Sequence, residues 1–490
     1  MRGDVESDAL LGKPCGQDGN AAGTSGARGE CVSRDGPARA RVLGVVVLFL
    51  MLLGCAVIAL AVTSVTTRLP HWRTREQLQR LPDLWEELDA RVKSSGSGSY
   101  EVRDTYALGN LLRSGYVRVD GRFLYDNWRG ILFDFVGVQL TFHVMHASRI
   151  LFRFNEGGSA YYTVFAEPSS KCRGDYRASH KTAFLQNQDT LAISLDVLDG
   201  KYVGRCMYTI RLVKETEPFQ MPFFPNASVS RPIARLDSIQ LESRTAKDRQ
   251  GKTFRARLFR HQESKHARRL LVIGDSESAG FCDDGPRHMS QDRYGQWREF
   301  SRFSDSWVYK LVTSLRWEYD IVAVSGRGVV RNFYESGPYS AAREVMSSFV
   351  SRALQSVPGS HERDVPFLRK PDIVIIFLGC NDFFDAAQDL DSVVNVRGFE
   401  GGLQSLATKY AKAGIKLFML CGGYTDDRQA PCGPVSRVCN SLDSSGSDCT
   451  FLYMPRSLVP YPQYEACAAH VNSEGQDIIA QYVASAMDDL

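Results

Sequence analysis

The hydrophobic period of this sequence changes near residue 265, and the two periods require two kinds of β-sheet. Over 100–245, apolar residues alternate with polar ones, as at Leu191, Ile193 and Leu195. A period of two is typical of antiparallel strands with one buried face. Several such strands separated by turn residues predict a β-sandwich.

Over 265–490, short continuous apolar runs replace the alternation, and helical stretches separate them. Buried strands that alternate with helices indicate βαβ units and a parallel sheet covered on both faces. An amphipathic helix is expected at the end of the chain, over 473–487. The sequence therefore predicts an α/β fold preceded by an antiparallel sandwich. The five apolar runs are Leu270–Gly274, Ile321–Gly326, Asp372–Gly379, Ile415–Gly422 and Cys449–Met454.

The N-terminal hundred residues have a different organisation. Residues 1–41 lack an apolar period and are predicted to be a disordered tail. The charge-free run that follows predicts a transmembrane helix over 42–64, because about 20 apolar residues span a bilayer. The competing interpretation, a signal peptide, would have a shorter apolar region nearer the N-terminus. Residues 65–99 are expected to form a stem and a flexible linker.

Cysteine usage indicates where the C-terminal portion resides. Nine of the 12 cysteines follow the predicted span, and Asn226 begins a glycosylation sequon. Both features favour a lumenal or extracellular location on a single-pass membrane protein. Cys432, Cys439 and Cys449 do not have zinc-ribbon spacing, so disulfides rather than a metal are expected there. Cys172 and Cys206 are candidates for a further pair, although spacing does not fix connectivity.

Charge excludes one class of partner. Lys and Arg number 59 against 56 Asp and Glu, for a net charge of +3. The two signs are interspersed over the folded part, so nothing predicts nucleic-acid binding.

The ends of three predicted strands carry conspicuous polar residues. Ser276 follows the first, Gly326 the second and Asn381 the third, and His470 precedes the final helix. Ligands bind beyond the carboxyl ends of strands in such sheets. A serine hydroxyl needs a base such as histidine, and the oxyanion of acyl transfer needs backbone N–H or amide donors. Each residue alone has a structural explanation, such as a helix cap or a turn, so the hypothesis depends on their joint order.

The blocks GDSESAG, SGRG and GCND, with the late His470, resemble the SGNH (GDSL-like) hydrolases. Gly121–Leu140, SDSW at 304–307 and SGRGVVRN at 325–332 look like one branch, the carbohydrate esterase family 2 acetylesterases. The resemblance implies a flavodoxin-like three-layer αβα unit after a jelly-roll sandwich. It implies Ser276 as nucleophile, His470 as base and an oxyanion hole made by Ser276, Gly326 and Asn381.

Some positions differ from the family pattern. Cys467 stands where most members have an aspartate that orients the histidine, although the family 2 branch often uses a backbone carbonyl instead. Val471 replaces a common proline, and Glu277 replaces an apolar residue. Asp275 is expected to hold its turn, and Asp382 to be a solvated helix start, as is Asp385. Trp307 could line a sugar subsite or face the core.

The resemblance implies a serine esterase that hydrolyses O-acetyl esters on carbohydrate through an acyl-enzyme at Ser276. This chemistry needs no cofactor. Two alternatives remain open at this point. An O-acyltransferase would use the same Ser276 and His470 with a sugar hydroxyl in place of water. A non-catalytic glycan-binding protein would retain the hydrolase scaffold, although the intact set of site residues argues against it.

Overall fold

A computed structural model describes most of the chain after residue 100. The predicted tail, transmembrane helix and stem (1–99) lie outside the described residues, as do Asn226, Asp385 and Cys172. No helix within the described part is long and apolar enough to cross a membrane. Residues 95–490 form one compact unit. The described ranges are 101–126, 130–170, 178–187, 189–195, 206–218, 232–243, 255–261, 267–287, 297–333, 344–361, 369–383, 393–422, 431–460 and 462–487.

In the N-terminal part of this unit, the described residues form twelve strands and one short helix. They are β1 (Glu101–Ala107), α1 (Leu108–Arg113), β2 (Val117–Asp120), β3 (Leu124–Asp126), β4 (Gly130–Phe133), β5 (Gln139–Met145), β6 (Arg149–Gly157), β7 (Ala160–Pro168), β8 (Ser179–Leu185), β9 (Asp189–Ser194), β10 (Met207–Lys214), β11 (Ala234–Ser243) and β12 (Arg257–Phe259).

These strands form two antiparallel six-stranded sheets. One has the order β3-β4-β11-β6-β9 with β1 also paired to β11, and the other has the order β12-β5-β10-β7-β8 with β2 also paired to β5. Alternate residues of β10, such as Tyr208, Ile210 and Leu212, are buried between the sheets. The alternation in the sequence thus corresponds to strands with one face in the core, as predicted.

The C-terminal part alternates strands with helices. Its elements are β13 (Arg269–Gly274), α2 (Ser276–Ala279), a 3₁₀ turn (Phe303–Asp305), α3 (Trp307–Leu315), β14 (Glu318–Ala323), α4 (Met346–Val350), β15 (Ile373–Phe377), α5 (Cys380–Phe383), α6 (Val393–Ala411), β16 (Lys416–Gly422), α7 (Cys432–Ser444), β17 (Cys449–Met454), 3₁₀ turns (Arg456–Leu458 and Cys467–Ala469) and α8 (Ser473–Ser485).

Its five strands form a parallel sheet in the order β14-β13-β15-β16-β17. Numbered along the chain, this is the 2-1-3-4-5 order of flavodoxin-like folds, which places a topological switch point between β13 and β15. Apolar side chains on α3 and α8 cover one face, and those on α4, α6 and α7 cover the other. The predicted three-layer arrangement is therefore present.

The sandwich contacts the α/β part through buried polar groups. The Arg122 guanidinium donates from Nε to Asp320 Oδ2 (3.1 Å) and from Nη1 to the Val350 and Arg352 carbonyls (2.7 and 2.5 Å). The Tyr319 hydroxyl donates to the carbonyl of Gly137. These bonds fix the sandwich at the edge of the sheet, beside β14.

Replacing Arg122 by alanine should destabilise the protein by about 3–5 kcal/mol, because it leaves the Asp320 carboxylate buried without its ion pair. The Arg122 side chain is only 1% exposed. Arg437→Ala is the matched control, since its ion pair with Glu400 is mostly solvent-exposed and is worth at most about 1 kcal/mol. Urea denaturation of the full chain and both variants measures the difference. Equal losses would contradict the account of the interface.

Candidate active site

The candidate site lies at the switch point of the parallel sheet. In the register of the sheet, Gly274 at the end of β13 lies between Ala323 of β14 and Phe377 of β15. Parallel strands that end together bring the residues that follow them to one edge. The segments carrying Ser276, Gly326 and Asn381 therefore begin side by side.

Ser276 opens the short helix α2 directly after β13. The carboxylate of Asp275 caps this helix by accepting from the Glu277 N–H (3.3 Å). Asp275 and Glu277 are buried, whereas Ser276 between them is half-buried. Gly274 permits the tight turn, because a Cβ there would overlap the side chain of Ser278. The turn thus places Ser276, half-buried, at the edge of the sheet.

Within the part of the chain that the structure describes, two backbone N–H groups at this edge have no protein acceptor. They belong to Ser276 and to Gly326, which is buried and has a left-handed φ of 73°. Buried N–H groups are nearly always paired in folded proteins. Two unpaired donors on adjacent strand ends are suited to binding a developing negative charge.

Asn381 lies between these segments, at the start of α5. Its Nδ2 atom is 3.1 Å from Asp275 Oδ2 and 3.1 Å from the Arg327 carbonyl oxygen. Both amide protons are therefore donated within the protein. Burial raises the pKa of Asp275 to about 7, and the nearby Asp382 carboxylate acts in the same direction. The amide joins the turn at Asp275 to the loop after β14.

Asp382 holds that loop and is not the solvated helix start that the sequence suggested. The side chain is buried, and Oδ1 accepts from the N–H groups of Val330 and Arg331 (both 2.9 Å). Its Oδ2 accepts from the N–H of Val329 (2.9 Å). Three N–H donors compensate the buried charge, and they fix the loop that begins at Gly326.

His470 lies in a loop held by one disulfide and by hydrogen bonds. The 3₁₀ turn Cys467–Ala469 precedes it, with φ of 54° at Ala468 and 58° at Ala469. Cys467 forms a disulfide with Cys282, in the segment after α2. The Ala466 N–H donates to the His470 carbonyl (2.7 Å). Non-glycine residues in the left-handed region are strained and persist only where the surroundings hold them.

The imidazole of His470 is half-buried and packs edge-on against Phe281, with ring centroids 5.0 Å apart. Burial lowers the pKa of His470 to about 4, and the carbonyls of Ala468 and Cys467 act in the opposite direction. Neither carbonyl makes a well-formed hydrogen bond to the buried Nδ1 atom. The ring is therefore neutral at neutral pH and can accept a proton. Since Cys467 is oxidised, no thiol orients it.

Glu277 connects the serine to the histidine loop, a role that the sequence did not reveal. Its Oε1 accepts from the N–H of Val471 (3.2 Å), the residue after His470, and its Oε2 accepts from Gln476 Nε2 (2.8 Å). Burial, followed by the charge of Asp275, raises the pKa of Glu277 to about 8. The two donors oppose this rise, because each needs an unprotonated oxygen.

Trp307 does not belong to the site, and the prediction that it lines a sugar subsite is wrong. Its side chain is completely buried on the inner face of α3, against Phe377 (ring centroids 6.1 Å apart). The alternative, a tryptophan that faces the core, is the correct one. Helical spacing alone did not distinguish the two.

The predicted disulfides are confirmed. Cys421 pairs with Cys432, and Cys439 with Cys449. Cys206 is also disulfide-bonded, to a partner outside the described residues. In the described part of the chain, no cluster of His, Cys, Asp and Glu could hold a metal ion.

The groups at this edge are of the kinds that acyl transfer uses. They are a serine hydroxyl, an imidazole in an adjoining loop and two N–H donors without protein acceptors.

Comparison with known proteins supports the fold. No family model matches the sequence, and no curated protein matches it. Among solved structures, a family two carbohydrate esterase from Clostridium thermocellum in complex with cellohexaose aligns over 76% of this chain and 98% of its own, with 15% identity and a TM-score of 0.57.

Two other solved structures show the same architecture. A family two carbohydrate esterase from Cellvibrio japonicus covers 79% of this chain and 97% of its own (14% identity, TM-score 0.55). An acetyl xylan esterase from Butyrivibrio proteoclasticus covers 79% and 98% (13% identity, TM-score 0.60). The resemblance drawn from the sequence is thus confirmed at the level of the fold.

The turn that carries Ser276 should not tolerate a side chain at its first residue, Gly274. Gly274→Ala should destabilise the protein by about 1–3 kcal/mol, because the new Cβ would overlap Ser278 in a packed core. Gly401→Ala, on the exposed face of α6 with no atom nearby, is the control and should be neutral or stabilise by up to about 1 kcal/mol. Thermal denaturation compares the two. A neutral Gly274→Ala would mean that the turn is looser than described.

Proposed function

We propose that this protein is a serine esterase that hydrolyses O-acetyl esters on carbohydrate through an acyl-enzyme at Ser276. The observation that carries the proposal is the half-buried Ser276 hydroxyl beside two N–H donors without protein acceptors. The carbohydrate part is supported by the shared fold, since the similar structures include a cellohexaose complex and an acetyl xylan esterase.

In the first step, His470 accepts the proton of the Ser276 hydroxyl while the serine oxygen attacks the acetyl carbonyl carbon. The tetrahedral intermediate then expels the sugar oxygen, which takes the same proton from the imidazolium. Acetyl remains on Ser276, and the sugar leaves as an alcohol. The low pKa of His470 keeps the ring neutral before attack and makes the imidazolium a ready proton donor afterwards.

In the second step, His470 takes a proton from water, and the hydroxide attacks the acetyl-serine carbonyl. Collapse of the second intermediate returns the proton to Ser276 and releases acetate. To be oriented, the ring would have to turn so that Nδ1–H donates to the carbonyl of Ala468 or Cys467, the two carbonyls that act on its pKa. A backbone carbonyl would then take the place of the aspartate that most SGNH enzymes use.

The negative charge that develops in both steps would be bound by the N–H groups of Ser276 and Gly326. Asn381 would be the third donor, exchanging its bond to the Arg327 carbonyl for one to the oxyanion. Its second amide proton would stay on Asp275, which keeps the side chain in place. The two backbone N–H groups need little reorganisation during the reaction, because the ends of the strands hold them in place.

Two substitutions test the proposal. Ser276→Ala should reduce hydrolysis of acetylated oligosaccharides to background and abolish labelling by a fluorophosphonate probe, without loss of folding. Asn381→Ala should lower kcat by about 100-fold or more, the usual scale for an oxyanion donor. The effect on KM should be smaller, because the charge appears only in the transition state. A folded Ser276→Ala protein with wild-type activity would refute the assignment.

We also propose that residues 42–64 anchor the chain in a membrane, with the catalytic part lumenal or extracellular. The disulfides at Cys282, Cys421 and Cys439 support this placement, because such bonds persist in oxidising compartments. Protease treatment of sealed vesicles should leave the C-terminal part intact unless the membrane is permeabilised. Digestion from the cytosolic side would contradict the proposal.

A further inference from the structure

The carboxylate of Glu277 lies buried between the serine turn and the histidine loop, with 1% of its surface exposed. Its two oxygens accept from different segments, Oε1 from Val471 N–H and Oε2 from the Gln476 side chain of α8. Glu277 follows Ser276 in the chain, and Val471 follows His470. One side chain therefore spans the two segments whose separation matters for proton transfer.

The direction of each hydrogen bond around Glu277 is fixed. The backbone N–H of Trp307, at the start of α3, donates to Gln476 Oε1 (2.9 Å). A backbone N–H can only donate, so the Gln476 oxygen must face Trp307 and its Nε2 must face Glu277. Val471 N–H likewise can only donate. Glu277 thus meets two donors and must accept with both oxygens.

A glutamine at position 277 would not satisfy this arrangement. One of its two terminal atoms would be an NH₂ group facing the N–H of Val471 or the Nε2 of Gln476. Rotating the Gln476 amide by half a turn would not help, because its NH₂ group would then face the N–H of Trp307, and two donors would again meet. The requirement for a carboxylate therefore comes from polarity and not from shape, since glutamate and glutamine have nearly the same volume.

The histidine loop needs such a restraint. Ala468 and Ala469 hold left-handed conformations immediately before His470, and strained backbone is retained only where contacts determine it. The Cys282 disulfide holds the loop before the histidine, and the Glu277 bond holds it after the histidine.

We propose that Glu277 is a positioning residue that sets the His470 ring relative to Ser276 through the Val471 N–H and the Gln476 amide. The proposal rests on the function proposed above. Glu277 does not touch the reacting atoms; it acts through the loop that carries the base.

A charge exchange tests this role in the full chain. Glu277→Gln should lower kcat by about 10- to 100-fold with KM changed by less than about 3-fold, because misplaced catalytic groups slow the reaction more than they weaken binding. The double variant Glu277→Gln/Gln476→Glu should recover most of the lost kcat.

The recovery follows from the donors and acceptors that the exchange creates. The new carboxylate at position 476 would accept from Trp307 N–H and from the new amide at position 277. The oxygen of that amide would accept from Val471 N–H, so every donor again meets an acceptor. The exchange gives up only the 3.4 Å contact from Gln476 Nε2 to the Val471 carbonyl.

Glu474→Gln is the matched control, since it removes an exposed carboxylate from the first turn of the same helix and should leave kcat unchanged. Assays above pH 8 keep the wild-type Glu277 ionised. Wild-type kcat in Glu277→Gln would overturn the proposal. So would a double variant that recovers thermal stability without recovering kcat, since Glu277 would then be structural only.

A readout independent of activity separates this proposal from the proposed function. Hydrogen exchange at the Val471 amide should accelerate in Glu277→Gln and return to the wild-type rate in the double variant. If Ser276→Ala and wild type show equal activity, the proposed function fails, and the exchange rates still decide whether Glu277 holds the loop. Unchanged exchange at Val471 in Glu277→Gln would overturn the positioning role.

Discussion

The parallel register of β13 between β14 and β15 is the constraint on which the site depends. Because Gly274 lies opposite both Ala323 and Phe377, the segments after these three strands start at one edge. Ser276, Gly326 and Asn381 are far apart in the sequence and become neighbours only through this pairing. Arg122 of the sandwich donates to Asp320 of β14, so the sandwich also holds this outer strand of the sheet in place.

Around this edge, buried carboxylates hold the loops in place by accepting hydrogen bonds from backbone N–H groups. Asp382 binds three N–H groups of the Gly326 loop, and Glu277 binds the N–H of Val471. Burying a carboxylate is costly unless donors compensate it, so each carboxylate, when ionised, favours the loop conformation that supplies its donors. The two departures from the family pattern at Glu277 and Val471 are physically linked. A proline after the histidine would have no N–H to donate, and an apolar residue in place of Glu277 could not accept one.

The sequence predicted the features that depend on the hydrophobic period and on the order of residues along the chain. Continuous apolar runs identified the strands of the sheet, and chain order placed Ser276, Gly326 and Asn381 at strand ends. It did not reveal which way a side chain faces or what it binds. The sequence therefore left the position of Trp307 open and misjudged Asp382, since a single aromatic or acidic residue at the start of a helix has no marker of its partners. The sequence showed Glu277 only as a departure from the family pattern. Its hydrogen-bond partners, Val471 and Gln476, lie 194 and 199 residues further along the chain.

The central claim is that an acetyl group passes through Ser276. To measure this transfer directly, the full chain is reacted with an acetylated oligosaccharide and quenched rapidly with acid. Its peptides are then analysed by mass spectrometry. We expect a peptide that contains Ser276 and is heavier by one acetyl group. This modified peptide should disappear as the substrate is exhausted. Release of acetate with an acetyl group on a different residue, and with Ser276 unmodified at every time point, would contradict it.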